Sequence, residues 1–296
     1  MKIKTYHVSN AKYELVGDLF TMYGAIFGDI IGSRFEFNNI KSKEFKLFDN
    51  SCQFTDDTIL TCAAADWIVN GASPEEKLVF WANKYINRTH FGRPAFSPGF
   101  MNWVSCDNRK PYQAKTNGCL MRVSPIAFFE KNTKKAIEKA VEFTSITHNH
   151  EESLNAVTAY VKIIHSVISG CSNDKIIKIG EEHGYNFISD VDTERQKMDK
   201  FYFSCKKTFA PAIVCVLEAK SYEDAIRNAV SLGGDSDTLA CIAGAVAEAK
   251  FGIPENIAKQ GIEFLDNDIK MTLSALYNEE QNKYKIYEIA KNKLQR

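Results

Sequence analysis

The chain has 296 residues, 45% hydrophobic and 25% charged, with 37 basic against 37 acidic side chains and a formal net charge of +0. This is an ordinary globular composition. It excludes a chain-wide basic footprint for nucleic acid, and no apolar stretch is long enough to span a bilayer. The 8 cysteines form no Cys-x-x-Cys pair, which argues against a zinc knuckle and for free thiols in a reducing cytoplasm.

In chain order, Met1 to Phe20 mixes Lys, His, Asn and Glu with apolar residues and lacks the apolar core of a signal peptide. Residues 1–22 read as an N-terminal extension and 23–296 as one domain. Gly24 to Ile31 is small and apolar. Thr58 to Val69 reads as a helix stopping near Asn70-Gly71, and Ser73-Pro74-Glu75-Glu76 is a helix start with a cap, an early proline and acids after it. Arg88 to Asn117 carries Gly92, Pro94, Pro98, Gly99 and Pro111 between aromatics and reads as a loop-rich segment of the kind that carries function on a rigid scaffold. A helix starts at Ile126 to Phe129. Further helices are predicted over Thr133 to Phe143, Glu151 to Ile168 (ending at Ser169-Gly170), Thr208 to Ala219, Tyr222 to Ser231, Pro254 to Phe264 and Ile269 to Leu276. Strand signals are weak; Glu36 to Phe54 has room for short strands or hairpins. The chain is mainly α.

Two acidic motifs are built alike. Thr55-Asp56-Asp57-Thr58 precedes Ile59 to Ala65, and Gly233-Gly234-Asp235-Ser236-Asp237-Thr238 precedes Leu239 to Ala245. Each puts carboxylates at the start of a helix apolar enough to be buried. One such motif alone is explained by capping, because Asp and Thr oxygens accept the free N–H groups of a first turn. Two doubled motifs offer more oxygens than capping needs. Four carboxylates brought together would repel one another unless a positive charge lay between them, and one or two divalent cations with oxygen ligands are the simplest solution. The diglycine before Asp235 permits a close approach by a ligand.

These motifs occur in order with three other stretches: Gly24-Ala25-Ile26-Phe27-Gly28-Asp29-Ile30-Ile31-Gly32-Ser33 with Glu36-Phe37; Asn117-Gly118-Cys119-Leu120-Met121-Arg122-Val123-Ser124-Pro125; and Thr147-His148-Asn149-His150. The set resembles the ADP-ribosylglycohydrolase family across about Gly24 to Pro254. The resemblance implies a single all-α, orthogonally packed multi-helix domain with a metal cleft. It implies two divalent cations, Mg2+ or Mn2+, held by Thr55, Asp56 and Asp57 from one helix start and by Asp235, Asp237 and Thr238 from the other. It also implies hydrolysis of an N- or O-glycosidic bond at the anomeric carbon of ADP-ribose, on a modified protein or a small-molecule conjugate, with Asp57 and Asp235 central to the chemistry and the protein a monomer. Thr116 and Cys119 depart from the residues usual in relatives, which bears on substrate preference.

Glu36 matches a family glutamate and is the first candidate for general acid/base work or metal gating; otherwise it is a surface loop residue. Asp29 either caps a helix or holds a hydrogen bond to a metal ligand, and the second is adopted. Asn117, Gly118, Cys119 and Met121 are placed at the substrate, with backbone N–H groups toward the diphosphate; the alternative is a plain Asn-Gly turn. Gly234 and Ser236 join them, as does His148, which has a counterpart in the family. His150 caps a helix or faces solvent, and His90 reads as a loop residue. Arg122 pairs with a phosphate or with a structural carboxylate. Phe91, Phe96, Phe100 and Trp103 either stack adenine or pack in the core. Rival functions are hydrolysis of a small derivative such as O-acetyl-ADP-ribose, phosphate-ester hydrolysis by the same metals, and silent ADP-ribose binding, against which all four motif aspartates stand. No motif supports a Cys–His nucleophile.

Overall fold

The computed structural model describes residues 4–8, 11–15 and 22–278. It is mostly helical: α1 Gly24–Ser33, α2 Asp56–Asn70, α3 Pro74–Lys84, α4 Pro98–Val104, α5 Gly118–Met121, α6 Ser124–Phe129, α7 Thr133–Ser145, α8 Glu151–Ile168, α9 Asn173–Glu182, α10 Val191–Lys197, α11 Cys205–Glu218, α12 Tyr222–Ser231, α13 Ser236–Phe251 and α14 Glu255–Ile262. Residues 267–278 are also helical. The expected ends of α8 and α12 coincide with those observed. Segment 36–54 holds turns and bends and no strand. The strands lie elsewhere: an antiparallel pair β1 Lys4–Val8 and β2 Ala11–Leu15, with Tyr6 opposite Tyr13, sits inside the expected extension. A two-residue pair, β3 Thr89–His90 and β4 Arg93–Pro94, sits in the loop-rich segment.

The helices stop and start where local chemistry dictates. Ser73 and Glu76 form a reciprocal capping box at α3. Asn132, Asp190 and Ser221 cap α7, α10 and α12 with side-chain oxygens. Gly71, at φ 69°, ends α2 in the left-handed region that favours glycine.

Helix α13 is the axis of the core, packed against α1, α12, α11 and α8 and buried from Ser236 to Glu248. Its contact with α1 is backbone on backbone. A Cβ on Gly28 would lie 2.1 Å from the Ala240 carbonyl oxygen, one on Gly32 2.5 Å from that of Ser236, and one on Gly244 2.1 Å from that of Gly24. The order of these contacts makes the two helices antiparallel, and only small residues at four-residue intervals allow the approach. The buried carboxylate of Glu248 closes the far end of this pair by accepting the N–H groups of Met22 (2.8 Å) and Gly24 (2.7 Å) at the start of α1. At the other end, the close crossing sets the C-terminal turn of α1 beside the acidic start of α13.

Candidate active site

Asp29 projects from α1 toward the start of α2. One carboxylate oxygen accepts the N–H groups of Thr55 (2.9 Å) and Thr58 (3.1 Å) and the Thr58 hydroxyl (2.5 Å); the other accepts the Thr55 hydroxyl at 2.7 Å. Asp29 is thus both cap and support: it closes the first turn of α2 from outside and holds the Thr55 side chain. Thr55 also caps its own helix by accepting from the Asp57 N–H. These bonds aim Asp57 at the second motif, where one of its oxygens accepts the Thr238 hydroxyl at 3.2 Å.

At the start of α13, Gly233 and Gly234 have φ of 73° and 68°, which a residue with a Cβ adopts only at a cost. The Gly234 N–H donates to the Asn39 side chain at 2.8 Å, and its carbonyl accepts from the same amide at 2.9 Å. The Lys41 ammonium donates to the carbonyls of Leu232 (2.5 Å) and Met198 (2.6 Å), and its burial lowers its pKa. Neither residue carried a signal in the sequence. They act because the chain after α1 runs alongside the diglycine. Asp235 stands at the N-cap position of α13 without making a capping bond, and its carboxylate accepts from the Asn117 amide at 2.6 Å. Asn117 is itself held by its N–H on the Phe203 carbonyl, 2.7 Å.

The carboxylates converge. Oxygens of Asp29, Asp57 and Asp237 lie within 4.8 Å of one another, and a second group of Glu36, His90 and Asp237 meets the same limit. Asp56, half-buried at the first position of α2, is near enough to Asp29, Glu36 and Asp235 to feel their charge. Burial drives Asp57 and Asp237 well above the ordinary carboxylate range, and the neighbouring carboxylates add to it. Burial likewise raises Asp29 against the bonds from Thr55 and Thr58. Asp235 is pushed up to about 6 by burial, against bonds from Asp237 and Asn117. One Asp57 oxygen is buried with no hydrogen-bond partner. A buried carboxylate oxygen without a donor, among other carboxylates that raise its pKa, fits a hard cation with oxygen ligands.

Other expected site residues are placed differently. The Cys119 thiol packs in the core against Cys205 and Ser153, because it lies on the inward face of α5. The amides of Cys119, Leu120 and Met121 already donate to the Thr116 and Asn117 carbonyls. The Met121 carbonyl accepts from Thr61 and Cys241. The Ser236 hydroxyl donates to the Gly32 carbonyl at 3.1 Å, toward α1 rather than outward. Gly118 is half-buried beside the His148 ring. His148 is buried, with Nε2 bonded to Thr116 at 2.8 Å and Nδ1 to Thr147 at 2.8 Å. Its pKa is lowered well below the ordinary value by burial and then by the Arg122 charge, so the ring is neutral. Arg122 is buried, donates to the Thr147 hydroxyl at 2.6 Å and lies over Phe143, and it pairs with no carboxylate among the described residues. His150 caps α8 by accepting the Glu152 N–H. Phe96, Phe100 and Trp103 are core residues, Phe96 tilted against Phe100 and Phe100 stacked on Trp103, whereas Phe91 is exposed.

His90 corrects the sequence reading. It is no passive loop residue: only 4% exposed, it meets Glu36 at 3.0 Å. The loop-rich segment had hidden this, because nothing in its composition says which of its side chains turns inward.

The domain is mostly helical, and its two acidic helix starts meet at a buried carboxylate cluster. The chain belongs to the ADP-ribosylglycohydrolase family, whose sequence pattern matches residues 19–285. It is similar to the ADP-ribosylarginine hydrolase Tri1 of Pseudomonas putida (strain GB-1), 23% identical over 260 residues, which cover 78% of this chain and 70% of that one. A protein of Acanthamoeba polyphaga mimivirus that carries an ADP-ribosyl glycohydrolase name is 25% identical over 279 residues, 77% of this chain and 84% of that one. Among solved structures, a chain of an ADP-ribosylglycohydrolase-related protein complex superposes with a TM-score of 0.63 at 18% identity, covering 88% of this chain and 96% of that one; that likeness concerns the fold. No helix among the described residues is long and apolar enough to cross a membrane.

Proposed function

We propose that the protein is a metal-dependent hydrolase that removes ADP-ribose from a modified acceptor by cleaving the glycosidic bond at the anomeric carbon of the terminal ribose. One observation carries the reading: two carboxylate-bearing helix starts, far apart in sequence, converge with Asp29 within 4.8 Å, and an Asp57 oxygen there has no partner. Thr55, Asp56, Asp57, Asp235, Asp237 and Thr238 would hold two divalent cations, Mg2+ or Mn2+, which supply charge to bind vicinal ribose hydroxyls and to acidify water.

The rest of the chemistry falls to the chain itself. Asn117 holds Asp235 in place and Asp29 holds Thr55, so the two helix starts keep a fixed spacing. The buried carboxylates face the positive charge that develops as the ribose becomes oxocarbenium-like. Glu36, half-buried at the edge of the cluster, is positioned to hold or move the proton of the attacking water or the leaving group. By the family resemblance, Gly118, Gly234 and His148 would contact the substrate. Arginine is the first acceptor to test, because the Pseudomonas putida relative is named for ADP-ribosylarginine. The cysteines are all free thiols, in keeping with a reducing cytoplasm, and residues 1–22 are read as an extension to a monomeric enzyme domain.

The experiment is release of ADP-ribose from arginine- and serine-modified proteins with Mg2+, Mn2+ or EDTA, beside the Asp57→Ala and Asp235→Ala variants. Release that needs metal and falls at least about a hundredfold in both variants supports the reading. Metal-independent release, or variants with parental rates, would sink it.

A further inference from the structure

His90 lies outside every motif that marks the family resemblance, yet it sits between three elements that frame the acidic cluster. Its Nε2 lies 3.0 Å from the Ser33 carbonyl at the end of α1 and 3.0 Å from a Glu36 carboxylate oxygen. Its Nδ1 lies 2.6 Å from the Gln53 side-chain nitrogen. A backbone carbonyl only accepts, so Nε2 carries the proton and shares it between Ser33 and Glu36. Nδ1 is then the acceptor for the Gln53 amide. With both nitrogens engaged, no lone pair is free for a metal, although the His90 nitrogen, Glu36 and Asp237 lie within 4.8 Å of one another.

The ring is clamped as well as bonded. Phe91 meets it edge-on at 4.7 Å and Phe37 lies at 5.5 Å. Phe91 holds a φ of 46°, a left-handed conformation that is strained for a non-glycine residue and clusters at functional positions. Gln53 is anchored in turn, its N–H donating to the Ser33 hydroxyl at 3.1 Å. The Glu36 backbone is held, its N–H donating to the Ser33 carbonyl at 3.3 Å and its carbonyl accepting from the Asn39 amide at 3.0 Å, but among the described residues the Glu36 carboxylate has no partner other than His90.

We propose that His90 is the positioning residue for Glu36: the Gln53–His90–Glu36 chain fixes the carboxylate at the edge of the acidic cluster, where the reaction needs it. This rests on the role given to Glu36 above. The predicted kinetic signature is a loss in kcat with KM for the ADP-ribosylated substrate little changed, because His90 touches Glu36 and not the substrate.

The test is a double-mutant cycle of His90→Ala and Glu36→Gln, with His90→Gln as the conservative variant, whose amide nitrogen can take the place of Nε2. His90→Ala should lower kcat about tenfold or more, up to the roughly 10²–10⁴-fold that one general acid/base group contributes, and His90→Gln should recover most of it. Added to Glu36→Gln, His90→Ala should change kcat less than about twofold, the non-additivity of residues acting as a unit. A loss of equal size in both backgrounds would overturn the proposal, since a purely structural histidine would give that. A readout independent of turnover is the crystal structure of the His90→Ala protein: the Glu36 side chain should leave its place, and a carboxylate that stays put overturns the positioning role. Undiminished turnover in Glu36→Gln alone would overturn both this proposal and the role of Glu36. Loss of all ADP-ribose release in the parent protein would instead refute the proposed function, with the crystallographic test of His90 still decisive.

Discussion

The two acidic motifs look like copies of one device in the sequence, and the structure makes them opposites. The start of α2 carries its own cap: Thr55 accepts the Asp57 N–H, and Asp29, on α1, accepts four further bonds from Thr55 and Thr58. The start of α13 has no side-chain cap. It stands on two glycines of positive φ whose backbone is held from outside by Asn39 and Lys41. One motif is built by its own cap and by Asp29, 26 to 29 positions upstream, and the other by residues nearly two hundred positions away, as the Asn39–Gly234 separation of 195 shows. An acidic helix start can therefore be placed by its own turn or by the fold around it, and substitutions distinguish the two.

The largest effect is expected where both motifs depend on one contact. Gly28→Ala puts a Cβ 2.1 Å from the Ala240 carbonyl. The α1–α13 crossing must then open, at about 3 kcal/mol or more for an overpacked backbone contact. Thermal unfolding should show it, together with loss of metal-dependent activity.

Next comes the charge held between the motifs. Asp235 rises to about 6 in the fold from an ordinary 3.8. A carboxylate raised in this way contributes stability that is full below about 3.8 and is lost as pH rises through about 6. The metal-free protein should therefore lose stability over that interval. Mg2+ or Mn2+ at a hundredfold excess over Kd should restore about 2.7 kcal/mol, with a larger Tm gain at pH 7.5 than at pH 5. A Tm gain independent of pH would count against cation binding at these carboxylates.

Gly234→Ala and Gly71→Ala then sharpen the contrast. Both have φ near 69° and should each cost about 1–2 kcal/mol for the left-handed backbone. At Gly71 nothing lies within 4 Å, whereas a Cβ on Gly234 meets Met198 at 3.1 Å. Only the Gly234 variant should lose affinity for metal or ADP-ribose by calorimetry.

The smallest difference separates the supports themselves. Asn39→Ala leaves the Gly234 N–H and carbonyl without their partner, and Thr55→Val removes a cap that Asp29 partly duplicates. Each should cost about 1 kcal/mol in denaturant unfolding. The Asn39 variant should lower activity more than the Thr55 variant, unless Thr55 binds metal directly, in which case the order reverses.

Much of this was legible in the chain. Glu151 to Ile168 and Tyr222 to Ser231 were read to their ends, because apolar spacing and flanking caps are local signals. The paired β1 and β2 strands were missed, because Lys4 to Leu15 lacks sustained alternation of β-branched residues with polar ones. Helices α9 and α10 went unread too, one of them short and strongly charged. In the site, the aspartates were visible because two doubled motifs exceed what capping needs. His90, Asn39, Lys41 and Gln53 were not, because a single polar residue in a loop has no period and no spacing.

The sequence alone determined the helical class, the ends of helices such as α8 and α12, and the identity of the acidic motifs, since each depends on residues within a turn or two. Tertiary structure alone decided which carboxylates share a space, that Cys119 and Ser236 turn inward, and that His90 turns toward Glu36. Those outcomes depend on the α1–α13 contact and on loop packing across the whole chain, where burial and charge repulsion act through space.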